Sequence, residues 1–163
     1  MNQGDDFETL SDDLTKGGKK GNVSYGTMTT IVESPLKFGL IYIGTDDGYI
    51  QVSKDGGYTH ASMPVDMWVS SIVASKYKEG RVYATLNGYR WDNFESMVYV
   101  SENYGNSWKK IGVNLPMEPV NVIAEDTKNA SVLYVGTDHG AYASIDRGGT
   151  FMSFDNGLPK VAV

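Results

Sequence analysis

Ser144-Ile145-Asp146-Arg147-Gly148-Gly149-Thr150-Phe151 is the stretch on which the fold turns, because versions of it occur three times. Ser101-Glu102-Asn103-Tyr104-Gly105-Asn106-Ser107-Trp108 repeats it with Asn for Asp. Ser53-Lys54-Asp55-Gly56-Gly57-Tyr58-Thr59-His60 repeats it with His in the aromatic place. The shared pattern is Ser-x-Asp-x-Gly-x-Ser/Thr-aromatic, and the copies start 48 and 43 residues apart. An Asp or Asn oxygen accepts hydrogen bonds from N–H groups a few residues on, and Gly supplies positive φ. The pattern therefore spells a tight turn. A turn recurring every 40–50 residues marks a repeated supersecondary unit.

The flanking segments repeat as well. Ile31 to Gly48 aligns without gaps on Ile123 to Gly140 at an offset of 92, with Ile31, Glu33, Tyr42, Gly44, Thr45, Asp46 and Gly48 all matched. A middle copy, Ile72 to Tyr83, lies 41 after the first and 51 before the third. Short alternating or apolar runs give four strands per unit, and none has sustained helical periodicity. The expected strands are 29–33, 40–44, 49–53 and 59–63; then 69–75, 81–86, 97–101 and 107–113; then 120–125, 131–136, 141–144 and 150–154. The first two strands of each unit are almost continuously apolar, as in Leu40-Ile41-Tyr42-Ile43, which suits burial on both faces. Leu14, Leu115 and Leu158 each lie seven residues beyond an aromatic, Phe7, Trp108 and Phe151. Extending this register predicts a lone fourth strand at 7–11. The chain then divides into 1–14 (end of a truncated preceding unit), 15–28 (linker), 29–66, 67–117, 118–158, and 159–163 (start of another unit).

Composition agrees. The 163 residues are 40% hydrophobic and 21% charged, with 19 Gly and 11 Tyr, as expected of short strands and tight turns in a packed protein. A net charge of −6 disfavours nonspecific binding to nucleic acid or an anionic membrane. No apolar run approaches membrane-spanning length, and Met1 to Asp6 has no signal-peptide pattern. With no Cys, disulfides, thiol catalysis and zinc–thiolate sites are excluded. Lys16, Lys19 and Lys20 among glycines lack phosphate-loop spacing and read as a solvated loop. No cofactor is expected, and the isolated His60 and His139 do not make a metal site.

These residues resemble the BNR or Asp-box repeat β-propellers, a family that includes sialidases, tandem-propeller xyloglucanases and sortilin-like ectodomains. IYIGTDDG, VSKDGG and YVSENYGNSW are most similar to bacterial sortilin-like, glycosyl-hydrolase-labelled propellers. The resemblance implies an all-β propeller segment of about three four-stranded antiparallel blades, an incomplete propeller with the repeated turn between third and fourth strands. It also implies an extracellular or periplasmic setting. In it, Ser53, Asp55, Gly57, Thr59, Ser101, Asn103, Gly105, Trp108, Ser144, Asp146, Gly148, Thr150 and Phe151 are structural turn residues, on the face opposite the usual ligand site.

Candidate ligand residues therefore belong to the other loops. Asp46, Asp47, Asp138 and His139 lie between second and third strands; Trp68 leads into the second unit; Tyr89, Arg90, Trp91, Asp92 and Phe94 fill a middle loop that breaks the repeat. Aromatic faces suit sugar rings or peptide side chains, and Arg suits a carboxylate. Asp46 and Asp138 could form a glycosidase carboxylate pair, but residues repeated in each unit also serve as turn caps. A sialidase needs three convergent arginines; Arg81, Arg90 and Arg147 fall at opposite ends of their units. The expected function is a non-catalytic segment binding protein or glycan. The alternatives are part of a glycosyl hydrolase whose catalytic residues lie partly outside this chain, and a self-associating scaffold with exposed edges. Expected partners are a glycan or protein ligand, and further blades or a second copy.

Overall fold

The computed structural model describes residues 6, 9, 11–17, 26–54, 58–63, 66–154, 157 and 160–163. It holds three four-stranded antiparallel sheets, each a simple meander. The first comprises β1 (Met28–Glu33), β2 (Ile41–Thr45), β3 (Tyr49–Ser53) and β4 (Tyr58–Ser62). The second comprises β5 (Trp68–Ala74), β6 (Val82–Asn87), β7 (Met97–Ser101) and β8 (Lys109–Ile111). The third comprises β9 (Val120–Glu125), β10 (Leu133–Thr137), β11 (Gly140–Ser144) and β12 (Met152–Ser153). Apart from one 3-10 turn at Tyr89–Trp91, the described residues contain no helix.

The sheets stack in chain order, with β1 against β5 and β5 against β9. Side chains alternate along a strand, so the middle sheet feeds two cores. Val82, Ala84, Leu86, Met97 and Tyr99 join Leu40, Tyr42, Ile50 and Val52 in one core. Tyr83, Val98 and Ile111 join Ile123, Leu133 and Val135 in the other. This explains the continuous apolar runs: β6 is buried at every position. Full burial of a side chain such as Ile72 or Ile123 is worth about 1.5–3 kcal/mol.

Each first strand carries a β-bulge at the matching residue, Thr29, Ser70 and Asn121. The bulge frees a polar side chain to bind the neighbouring sheet: Thr29 Oγ1 donates to the Val69 carbonyl at 2.6 Å, and Ser70 Oγ to the Val120 carbonyl at 2.7 Å. A further pin joins the second and third sheets. Glu125 accepts from Ser75 Oγ at 2.8 Å and from the Lys76 N–H at 2.7 Å.

The architecture is an incomplete propeller, as the repeat implied. The first sheet's fourth strand has the expected five residues, whereas those of the second and third sheets are shorter than the sequence suggests, three residues against 107–113 and two against 150–154. Trp108 and Phe151 leave the ladder and pack into the seams between sheets, and Gly112, at φ +65°, ends β8. The strand expected at 7–11 falls largely outside the described residues. Leu14 is buried, with its carbonyl capped by Gln51 Nε2 at 2.8 Å. Lys16 is not the solvated residue its glycine-rich context suggests. Its side chain ion-pairs with Asp66 and lies 4.4 Å from the Tyr49 ring centre. Lys19 and Lys20 lie outside the described residues.

Candidate ligand-binding face

The turns β2–β3, β6–β7 and β10–β11 emerge at one end of the stack, with the segments entering β5 and β9. Asp46, Asn87 and Asp138 occupy the same repeat position there. Asp46 is buried and doubly tied to the start of β1: its Oδ1 accepts the Thr27 N–H at 2.7 Å, and its own N–H reaches the Thr27 carbonyl at 3.0 Å. Its Oδ2 is buried without a hydrogen-bond partner. Asp47, also buried, accepts the Lys16 N–H at 2.6 Å and the Thr45 hydroxyl at 2.5 Å.

In the other two sheets this position belongs to a polar chain. The Tyr89 N–H donates to Asn87 Oδ1 at 2.9 Å, Asn87 Nδ2 to Asn121 Oδ1 at 2.8 Å, and Asn121 Nδ2 to Asp138 Oδ1 at 3.0 Å. Next to it, Thr137 Oγ1 donates to Glu118 Oε2 at 2.6 Å, and the exposed His139 Nδ1 lies 3.8 Å from Glu118 Oε1. Asn87, Asn121 and Glu118 were absent from the candidates drawn from sequence. Their only advance signal was position: Asn87 aligns with Asp46, and Glu118 lies in a connecting loop.

The middle loop is built differently from its counterparts. Gly88 opens the 3-10 turn, where a Cβ would stand 2.7 Å from the Asn93 carbonyl oxygen, and Asp92 closes it at φ +54°. Tyr89 and Phe94 meet edge to face at 5.9 Å and are both exposed. Arg90 sits 4.9 Å from the Trp68 ring centre, a cation–π contact between the loop and the entry to β5. No carboxylate among the described residues pairs with Arg90. Trp91 is half-buried, and Asp92 is exposed. The structure thus brings Trp68, Tyr89, Arg90 and Phe94 into one patch. Asp46 and Asp47 are held in the first sheet by backbone, and Asp138 and His139 in the third.

The repeated turns of the second and third sheets lie at the far end and have matching hydrogen bonds. In the third sheet Ser144 Oγ accepts the Gly148 N–H at 2.8 Å and donates to Asp146 Oδ1 at 2.7 Å, while Asp146 accepts the Thr150 N–H at 2.9 Å. In the second, Ser101 Oγ accepts the Gly105 N–H at 2.8 Å and donates to Asn103 Oδ1 at 2.9 Å, while Asn103 accepts the Ser107 N–H at 2.9 Å. The Thr150 N–H, then the Ser144 and Thr150 hydroxyls, hold the Asp146 carboxyl down at a pKa of about 2. Asp55 and Gly57 fall outside the described residues, and only the backbone of Thr59, in β4, is described. Arg147 stands in this turn at φ +61°, and Arg81 donates to Glu102 at 2.8 Å near the same end. Arg90 is at the other end, so the three arginines do not converge.

No protein-family model and no curated protein sequence matches the chain. Solved structures do. An ancestral GH74 enzyme superimposes with a TM-score of 0.64 at 22% identity, over 84% of this chain and 19% of that one. The GH74 xyloglucanase from Xanthomonas campestris gives 0.65 at 12% identity, over 82% and 24%. YCF48 bound to D1 peptide gives 0.61 at 13% identity, over 83% and 42%. The chain therefore spans between about a fifth and two-fifths of the length of these structures. At such identities the likeness concerns the fold.

Proposed function

We propose that this chain is a non-catalytic Asp-box propeller segment contributing a protein- or glycan-binding surface, centred on the loop from Asn87 to Ser96. The observation that carries the reading is the patch of Trp68, Tyr89, Arg90 and Phe94. It pairs exposed aromatic faces with a guanidinium that has no carboxylate partner among the described residues. Such a patch suits a ligand with a flat apolar face and an anionic group. That one similar structure is bound to a peptide and others are GH74 enzymes is compatible with either ligand class. The Asp-box assignment itself is supported by the matched hydrogen bonds around Ser101 and Ser144.

The test is a glycan array and a peptide library probed with the wild-type chain, Arg90→Ala and Trp91→Ala. A ligand retained equally by both variants would remove this loop as the site.

A second reading is a fragment of a carbohydrate-active hydrolase. The observation favouring it is Asp46, whose buried Oδ2 has no partner. Binding of xyloglucan oligosaccharides by the wild-type chain that is lost in Asp46→Asn supports it, and binding unchanged in Asp46→Asn removes Asp46 from such a site.

A further inference from the structure

The two ends of the stack are copies of the two halves of a seam that the molecule already makes twice. Ile31, Ile72 and Ile123 are equivalent, and so are Tyr42, Tyr83 and Tyr134. Tyr42 and Ile72 share the first core; Tyr83 and Ile123 share the second. Each seam therefore sets the tyrosine of one sheet and the isoleucine of the next in one core. Ile72 and Ile123 are 5% and 2% exposed, whereas Ile31, facing away from the stack, is 67% exposed. Met28, equivalent to the fully buried Val69 and Val120, is 59% exposed. At the other end Tyr134 is only half-buried and Val122 is 40% exposed.

We infer that these ends pair head to tail with a second copy of this chain, the first sheet of each copy covering the third sheet of the other. Two copies of three sheets make a six-sheet ring, within the 4–8 blades over which propellers close. The interface is heterologous, and closure by a two-fold axis uses both ends of both copies. It places Ile31 and Met28 of one copy over Tyr134 and Val122 of the other. Asn121, at the third bulge, has an amide hydrogen to offer the Met28 carbonyl of the second copy, as Ser70 serves Val120. One position is mismatched: Asp126 stands where Ser75 receives Glu125, so Glu33 of the second copy meets a carboxylate there, and the apolar contacts must hold the seam.

The last residues already trace the docking position. A Cβ on Gly136 would lie 2.8 Å from Val163 Cγ1, as one on Gly44 would lie 2.6 Å from Val69 Cγ1. Val163 thus occupies the place that Met28 of a second copy would take, held by its N–H to the Thr137 carbonyl at 3.0 Å and 53% exposed. The tail is a competitor for the seam. This inference is independent of the ligand-face reading.

The experiment is sedimentation equilibrium of the full chain at about 10–100 μM, beside Ile31→Asp, Val122→Asp, their 1:1 mixture, and a chain lacking 161–163. Both substituted side chains are exposed in the single copy, and circular dichroism checks that the variants fold. The wild-type chain should approach twice 17.8 kDa. Each variant alone should stay at single-chain mass, the mixture should recover a two-chain species, and removing the tail should lower the dissociation constant of the dimer severalfold. A wild-type chain that stays single throughout overturns the inference, as does a mixture that stays single, since one intact head and one intact tail must pair. Species growing beyond two chains overturn closure.

Discussion

Replacing Ser144 by alanine removes a single oxygen that is fully buried and makes three hydrogen bonds. The loss is not uniform among them. The Gly148 N–H, 2.8 Å away, is buried and has no other acceptor in the turn. The Asp146 N–H, at 3.3 Å, is partly exposed and can turn to water. One buried donor left unmade costs about 1–3 kcal/mol, and alanine fills nearly the same volume, so no cavity adds to it. The expected loss is about 2 kcal/mol, which for a chain of this size lowers Tm by about 4–8 °C. Urea unfolding followed by tryptophan fluorescence reads it. Ser101→Ala removes the same oxygen from the equivalent turn and should cost a similar amount. The double variant should be additive within about 0.5 kcal/mol, because the turns share no partner. A cost below about 0.5 kcal/mol at both sites would show that these serines do not staple their turns.

Three further outcomes follow from the same geometry. Asp146→Asn should match wild type closely at neutral pH, since Asn103 already does this work in the second sheet. Because the folded-state pKa of Asp146 is depressed to about 2, its charged form adds stability above the ordinary carboxylate pKa, and that share is lost as pH falls from about 4 through 2. Any wild-type advantage in urea midpoint at pH 7 should therefore shrink steeply between pH 4 and pH 2, and an advantage undiminished at pH 2 contradicts the assignment. Gly148→Ala should cost more than Gly39→Ala. Both glycines have φ near +80°, but only at Gly148 would a Cβ strike a side chain, 2.5 Å from Ile111 Cδ1; overpacking adds about 1–3 kcal/mol, and equal melting shifts would refute it. Glu125→Ala should lower the urea midpoint more than Glu125→Gln, since the amide keeps an acceptor for the Lys76 N–H; the reverse order would mean the inter-sheet pin contributes nothing.

Most of the architecture was legible because the repeat constrains it three times over. The offset of 92 between Ile31 and Ile123 holds in three dimensions: each pairs with the residue its alignment predicts, Ile43 and Val135, themselves 92 apart. What could not be read depended on side chains far apart in sequence. Lys16 reads as solvated among its glycines, yet Asp47 and Asp66, 31 and 50 residues away, draw it in. The bulges were invisible because Thr29, Ser70 and Asn121 differ chemically while performing the same displacement. The fourth strands of the second and third sheets were overestimated because Trp108 and Phe151 look like strand residues but pack into the seams. Of the candidate site residues, Trp68 and Arg90 were both named from sequence, but their stacking was not foreseen.

Symmetry separates what folds this chain from what remains for it to do. Asp46 and Asp138 each accept a hydrogen bond from the start of their own sheet's first strand, the first from the Thr27 N–H and the second from Asn121 Nδ2. A carboxylate fixed by that bond has little freedom to serve a ligand. Beyond Asn87, which shares that repeat position, the middle loop from Gly88 to Glu95 has no counterpart in the other two sheets. Its Asp92 sits in the left-handed region at φ +54°, a conformation that costs about 1–2 kcal/mol outside glycine. The counterpart turn after β2 closes without that cost, on Gly48. An expense that neither counterpart loop incurs, in a loop that holds Arg90 against Trp68, is the physical reason to place the proposed binding surface there rather than on the repeated aspartates.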